Sequence, residues 1–261
     1  MDARSGVLHS NGMYHCAPVP VVVHNGRVWR AMEEYTGPTW GKFKAFMMSA
    51  PEQTDLLDAS NWTSTNRIGP GPDWLNGTAS AVLEGNAVVT PTGAITDILR
   101  VHQPDFNEYV AIMHVNSDGS EITFNPKSDF IRMPGGSKKF TIRWDAASKR
   151  YWSLVNWIPD AHQARAGRPD QVRNTLALAS SGDLRSWTIN SIVLYSEDVS
   201  NTGFQYVDWL FDGQDIVAAV RTAFPEADGT AAHNFHDANW LIFQRIKGFR
   251  KLKLQVAHAN H

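Results

Sequence analysis

PVPVVVHNGRVWRAMEE, residues 18–34, decides the fold. An apolar run at 19–23 meets Asn25-Gly26, and a second run starts at Val28 and ends in Glu33 and Glu34. Asn-Gly between two apolar runs is a strong hairpin signal, because both central residues tolerate positive φ. The same unit recurs at residues 84–102, turning at Thr92-Gly93; at 138–156, turning around Ala147; and at 205–222, turning at Asp212-Gly213. The turns stand 67, 54 and 66 residues apart. Between successive copies lies a second strand pair: 43–48 with 62–68, 109–115 with 122–124, and 175–179 with 187–195. A further strand signal, 239–245, follows the fourth copy. Two hairpins per repeat make a four-stranded antiparallel blade, so the spacing predicts an all-β propeller formed by residues 1–261 as a single domain. A β-sandwich is the alternative for many short strands. The propeller is favoured because the repeat is longer than a hairpin and recurs four times.

Composition narrows the function. Of 261 residues 43% are hydrophobic and 19% charged, enough for a core and too apolar for a disordered chain. Lys and Arg number 24 against 26 Asp and Glu, a formal charge of -2, so no net field favours nucleic acid or a membrane surface as partner. Cys16 is the one cysteine, which excludes a disulfide framework and a multi-cysteine zinc site. His233, His236 and Asp237 lack zinc spacing, no phosphate-binding glycine loop is present, and neither metal nor cofactor is expected. No apolar stretch approaches the roughly 18 residues that span a bilayer. The N-terminus carries no signal-peptide pattern, and the compartment stays open. The 10 Trp, 12 Phe and 6 Tyr suit both sheets and sugar-binding surfaces.

Residues 180–188, Ser-Ser-Gly-Asp-Leu-Arg-Ser-Trp-Thr, resemble a degenerate Asp-box, and residues 59–63 are a fainter echo. Longer stretches at 14–20, 83–86, 134–140, 203–209 and 236–239 resemble a group of bacterial sialidase-like (BNR) propellers described as glycoside hydrolases. The similarity runs from about Gly6 to Arg250. Members of that group carry further blades before the segment matching Tyr14. The resemblance therefore implies missing N-terminal blades, a fifth or sixth blade made with the termini, or a ring closed by the termini. On that reading residues 1–16 are a remnant of a preceding blade, with Val7-Leu8 and Met13-Tyr14 as its last strand.

In a propeller blade the start of the first strand and the end of the second lie on one face. Residues seven or eight places after the turns are Glu33, Glu34, Arg100, Asn156 and Arg221. Residues seven to nine places before them include Glu84, Lys139, Gln205 and Tyr206, with His15, His102 and Asp208 close by. These groups are expected to converge on one axial pocket, against the plainer reading that they are solvated strand ends. Arg100 and Arg221 suit a carboxylate, which guanidinium binds through two parallel hydrogen bonds. Arg143 and Arg30 are mid-strand candidates for a third arginine, as the resemblance to sialidases would require.

The leading expectation is a hydrolase of an anionic terminal glycoside, with a sialic or a uronic acid as the sugar. Glycoside cleavage usually needs two carboxyl groups, and Glu33, Glu34, Glu84, Asp208 and Asp237 are available. The resemblance implies Tyr206 assisted by Glu84 in place of a carboxylate nucleophile. Histidine offers a rival chemistry: with an arginine neutralising a uronate, His236 and Tyr206 suit β-elimination by a lyase. The third reading is a non-catalytic carbohydrate-binding propeller. In all three the partner is carbohydrate and the chain a monomer or weak oligomer. His15, Glu33, Arg100, His102, Lys139, Arg143, Asn156, Gln205, Arg221 and Asp237 are the expected substrate contacts, and Glu34, Glu84, Tyr206, Asp208 and His236 the catalytic set.

Overall fold

A computed structural model of the chain describes residues 12–35, 37, 42–163 and 167–254. Its strands form four antiparallel sheets, the blades of a four-bladed β-propeller. Two blades belong to the compact unit Met1–Lys139 and two to Phe140–His261.

In the first unit, one blade holds β1 (Met13–His15), β2 (Val22–His24), β3 (Arg27–Tyr35), β4 (Phe43–Pro51) and β5 (Thr63–Ser64). Asn25 and Gly26 turn between β2 and β3 with φ of 49° and 69°, as the Asn-Gly signal requires. Val22–His24 pairs with the start of β3 and Met13–His15 with its end, Tyr14 opposite Glu34 and His15 opposite Glu33. Residues 13–15 thus pair along an edge of this blade; residues 7–8 lie outside the described residues. Arg30 donates to the carbonyls of Ala17 and Val19, tying down the loop between β1 and β2. That use explains Arg30, which is no third arginine of a clamp.

The second blade holds β6 (Ala81–Val89), β7 (Ile95–His102), β8 (Tyr109–Val115), β9 (Ile122–Thr123) and β10 (Phe130–Arg132). The blades pack through alternate residues: Trp29, Ala31, Ala45 and Met47 meet Val82, Ala87, Leu99, Val101 and Met113 in one core cluster. Period-two alternation puts these residues on a shared face of each strand. Burying a large apolar side chain contributes about 1.5–3 kcal/mol.

In the second unit, β11 (Thr141–Asp145), β12 (Arg150–Asn156), β13 (Thr175–Ser181) and β14 (Trp187–Tyr195) form the third blade. The fourth holds β15 (Gly203–Asp212), β16 (Asp215–Ala223) and β17 (Trp240–Ile246), three strands among the described residues. Trp152, Leu154, Leu178, Phe204, Trp209, Ile216, Val220 and Phe249 make their core. In the turn between β13 and β14, Asp183 accepts from Ser181 Oγ and from the backbone N–H of Arg185 and Ser186, and Trp187 donates to the Leu184 carbonyl. That turn closes a blade edge and carries none of the clustered charges described below.

Candidate functional site

The charged groups of the first unit gather at a break in the β6–β7 ladder. Leu83 opposes Arg100 and Asn86 opposes Ile98, so Glu84 and Gly85 together face Leu99. This is a β-bulge, which bends a strand and re-aims its side chains. Glu84 has φ of 58°. A non-glycine residue held in the left-handed region costs on the order of 1–3 kcal/mol and persists only where its surroundings fix it. The bulge brings Glu84 Oε2 to 3.0 Å from Arg100 Nη1, both side chains being almost wholly buried. The two charges face each other by proximity alone: neither atom makes a hydrogen bond among the described residues.

The next residue anchors a second carboxyl group. Gly85 N–H donates to Glu33 Oε1 at 2.9 Å, and Glu33 Oε2 lies 2.8 Å from His15 Nδ1. Burial pushes the Glu33 carboxyl upward, against the pull of its hydrogen bonds from His15 and Gly85. The same hydrogen bond raises His15 above the ordinary imidazole value. Glu33 is fully buried while the His15 side chain is 39% exposed, so the pair turns an imidazole, and not a carboxylate, toward solvent.

A second bulge occurs in β15. Gln205 opposes Arg221 and Asp208 opposes Ala219, leaving Tyr206 and Val207 to face Val220. Tyr206 has φ of 50°. The Arg221 guanidinium lies 5.2 Å from the Tyr206 ring centre and that of Arg173 5.6 Å, within cation–π range. The His236 ring meets Tyr206 edge-on at 6.1 Å. Arg221 donates to the His236 carbonyl at 2.8 Å and makes no ion pair with an acid among the described residues. Arg173 donates to Gln205 Oε1 at 2.7 Å, and Gln205 Nε2 donates to the carbonyls of Phe235 and His236. Burial, then the charges of Arg173 and Arg221, lower His236, while Asp237 pulls it the other way.

The expected residues divide accordingly. Glu33, Glu84, Arg100 and His15 come together in the first unit; Tyr206, Arg221, Gln205 and His236 do so in the second. Three assignments change role. Glu33 has no exposed surface and reaches a ligand only through His15. Arg100 faces Glu84 and is therefore not open to a ligand carboxylate. Gln205 is fully buried and fixes Arg173.

Others are drawn away. Glu34, one residue along β3 and so on its other face, pairs with Arg67 at 2.9 Å. Asp208 pairs with Arg143 at 3.2 Å, and Arg143 lies over the Trp209 ring, which removes both from the Tyr206 group. Asn156 is buried and donates to the carbonyls of Phe204 and Arg173, a cross-link between strands. Asp237 binds His233 at 2.7 Å and Asn234 at 2.8 Å within its own loop. His102 ends β7, and Lys139, buried, precedes β11.

Two residues were missed by sequence reasoning. Arg173 follows a proline-containing loop and carries no strand signal of its own. Asp97 had a signal: it interrupts the row Ile95, Leu99, Val101 on the buried face of β7, where alternation calls for an apolar side chain.

No family profile matches the chain, and no curated protein matches it in sequence. Solved structures do match in fold. A GH32 β-fructofuranosidase of Bombyx mori aligns with 83% of the chain at 15% identity and a TM-score of 0.50. An exo-1,5-α-L-arabinanase from a bovine ruminal metagenomic library aligns with 86% at 10% identity and a TM-score of 0.50. A levansucrase of Bacillus subtilis aligns with 90% at 10% identity and a TM-score of 0.52. The chain spans 45% of the length of the first of these, 72% of the second and 67% of the third. At such identity the likeness is one of fold, a propeller shared with carbohydrate-active enzymes.

Proposed function

We propose that the protein is a carbohydrate-active hydrolase whose substrate ends in an acidic sugar, a sialic or a uronic acid. The observation that carries the reading is the cationic group at Tyr206: Arg221 lies 5.2 Å from the ring centre and makes no ion pair with an acid among the described residues, and Arg173 lies 5.6 Å from the same ring. Guanidinium without a counter-charge favours a carboxylate ligand, which it grips with paired hydrogen bonds.

Bond cleavage falls to groups of the same unit, Tyr206 and His236, whose rings meet edge-on beside Arg221. Hydrolysis breaks the glycosidic C–O bond, gives a proton to the leaving oxygen and a hydroxyl from water to the sugar carbon. The strained bulge conformations of Glu84 and Tyr206 support a functional role, since strain of this kind gathers at working sites. The fold neighbours named above agree with the class of reaction. A sialidase-like assignment makes Tyr206 the nucleophile, supported by two arginines within cation–π range of its ring.

One observation favours a second reading. His236 is held toward its neutral form by burial and by Arg173 and Arg221. A neutral imidazole beside an arginine-bound uronate can remove a proton, which is the first step of a lyase.

A panel of fluorogenic aryl glycosides tests the proposal. Release of the aglycone from sialic or glucuronic acid derivatives, with none from glucose, supports it. A product with the ultraviolet absorbance of a new double bond, formed from a polyuronate, supports the lyase. Binding of the acids without turnover leaves a lectin and overturns the enzyme.

A further inference from the structure

Asp97 is completely buried in β7, and neither carboxyl oxygen has a hydrogen-bond partner among the described residues. Few native carboxyl groups are left in that state, because an unpartnered buried polar group costs roughly 1–3 kcal/mol. Its surroundings are specific. The Glu84–Gly85 bulge closes over it so tightly that a Cβ on Gly85 would lie 2.3 Å from Asp97 Oδ1 and 2.8 Å from Oδ2. From β3 the group that faces it is the Glu33 carboxyl, itself fixed by the Gly85 N–H. From β6 come the glycine backbone and Glu84, whose charge is directed to Arg100; on β8 the register partner is Met113, which is neutral. His15 stands behind Glu33 and bonds to it. No cation and no N–H donor reaches Asp97 among these groups.

We propose that Asp97 is a neutral carboxylic acid on which the Glu84–Gly85 bulge is seated, and that loss of its proton at alkaline pH unseats the bulge, making a pH latch beneath the candidate site. An ionised Asp97 in this place would be a second buried carboxylate beside Glu33 with nothing to solvate it. Water has to enter, and the part able to move is the bulge pressed on the two oxygens. Burial and the charge of Glu33 push the Asp97 carboxyl well above its ordinary value, in agreement with the packing. Asp97 touches no substrate; it is a positioning residue for Glu84. The test below needs no substrate and fails or succeeds apart from the hydrolase reading.

Aspartate-selective carbon-13 labelling of the whole chain reads the proton directly. The expected result is one aspartate carboxyl still protonated at neutral pH and absent from the D97N variant. Hydrogen–deuterium exchange then reads the latch. Between neutral and alkaline pH, exchange at residues 83–86 in the wild type should rise several-fold relative to D97N, which keeps the shape but has no proton to lose. Should D97N fail to fold, the wild-type titration stands alone. All aspartate carboxyls ionised at neutral pH, or equal exchange in the two proteins at every pH, would overturn the proposal.

Discussion

Arg100 and Arg221 hold the same place in two different blades. Each opposes the last residue before a two-residue bulge, Leu83 in one case and Gln205 in the other, and each meets the side chain of the first bulge residue. In one blade that residue is Glu84, at 3.0 Å; in the other it is Tyr206, whose ring centre is 5.2 Å away. One arginine therefore has a counter-charge and the other has a phenol, and their variants should behave differently.

Arg100→Ala leaves the Glu84 carboxylate buried without its partner. Breaking a buried ion pair costs about 3–5 kcal/mol, and urea unfolding should show a loss of that size. Replacing both residues by apolar ones of similar volume should recover most of it.

Arg221→Ala should change stability little and anion binding much. Titration calorimetry with glucuronate or N-acetylneuraminate should show binding weakened by about 1.5–3 kcal/mol, the range for hydrogen bonds to charged groups. Arg143→Ala should leave that affinity unaltered, since Asp208 already occupies its guanidinium.

His15 should titrate above the ordinary imidazole value, chiefly because of its hydrogen bond to Glu33. A folded-state value above the unfolded one gives stability that is full below about pH 6.5 and is lost as pH rises through the folded value. Nuclear magnetic resonance should find the His15 value lower in Glu33→Gln than in the wild type.

Asp145 carries the opposite sign. Two nitrogens of Arg250 reach its two oxygens at 2.7 Å, and with Ser148 they hold the carboxyl well below its ordinary value. Stability from this pair is present above about pH 4 and lost as pH falls through the depressed value. Asp145→Asn should cost ~1.5–3 kcal/mol at neutral pH and almost nothing in strong acid, as read by thermal unfolding across pH.

The hairpins were legible in the sequence because the turns announce themselves: the folded chain turns at Asn25-Gly26, at Gly93 and at Gly213, each glycine with positive φ. The equivalence of Arg100 and Arg221 followed from counting outward from those turns. The bulges did not follow, since an extra residue shifts every later side chain to the other face and nothing at Glu84 or Tyr206 marks it locally. That shift is why one shared arginine clamp was expected, and why Arg100 faces Glu84 instead. Alternation separated Glu33 from Glu34 only once the buried face of β3 was known. Asp208 was misplaced for the same reason, lying just past a bulge.

The most direct test of the account is the effect of Tyr206→Phe on turnover of an acidic aryl glycoside. A variant that unfolds like the wild type but loses about 10²–10⁴-fold in kcat, with KM little changed, is the expected result for a side chain acting in the chemical step. Turnover within twofold of the wild type would contradict it.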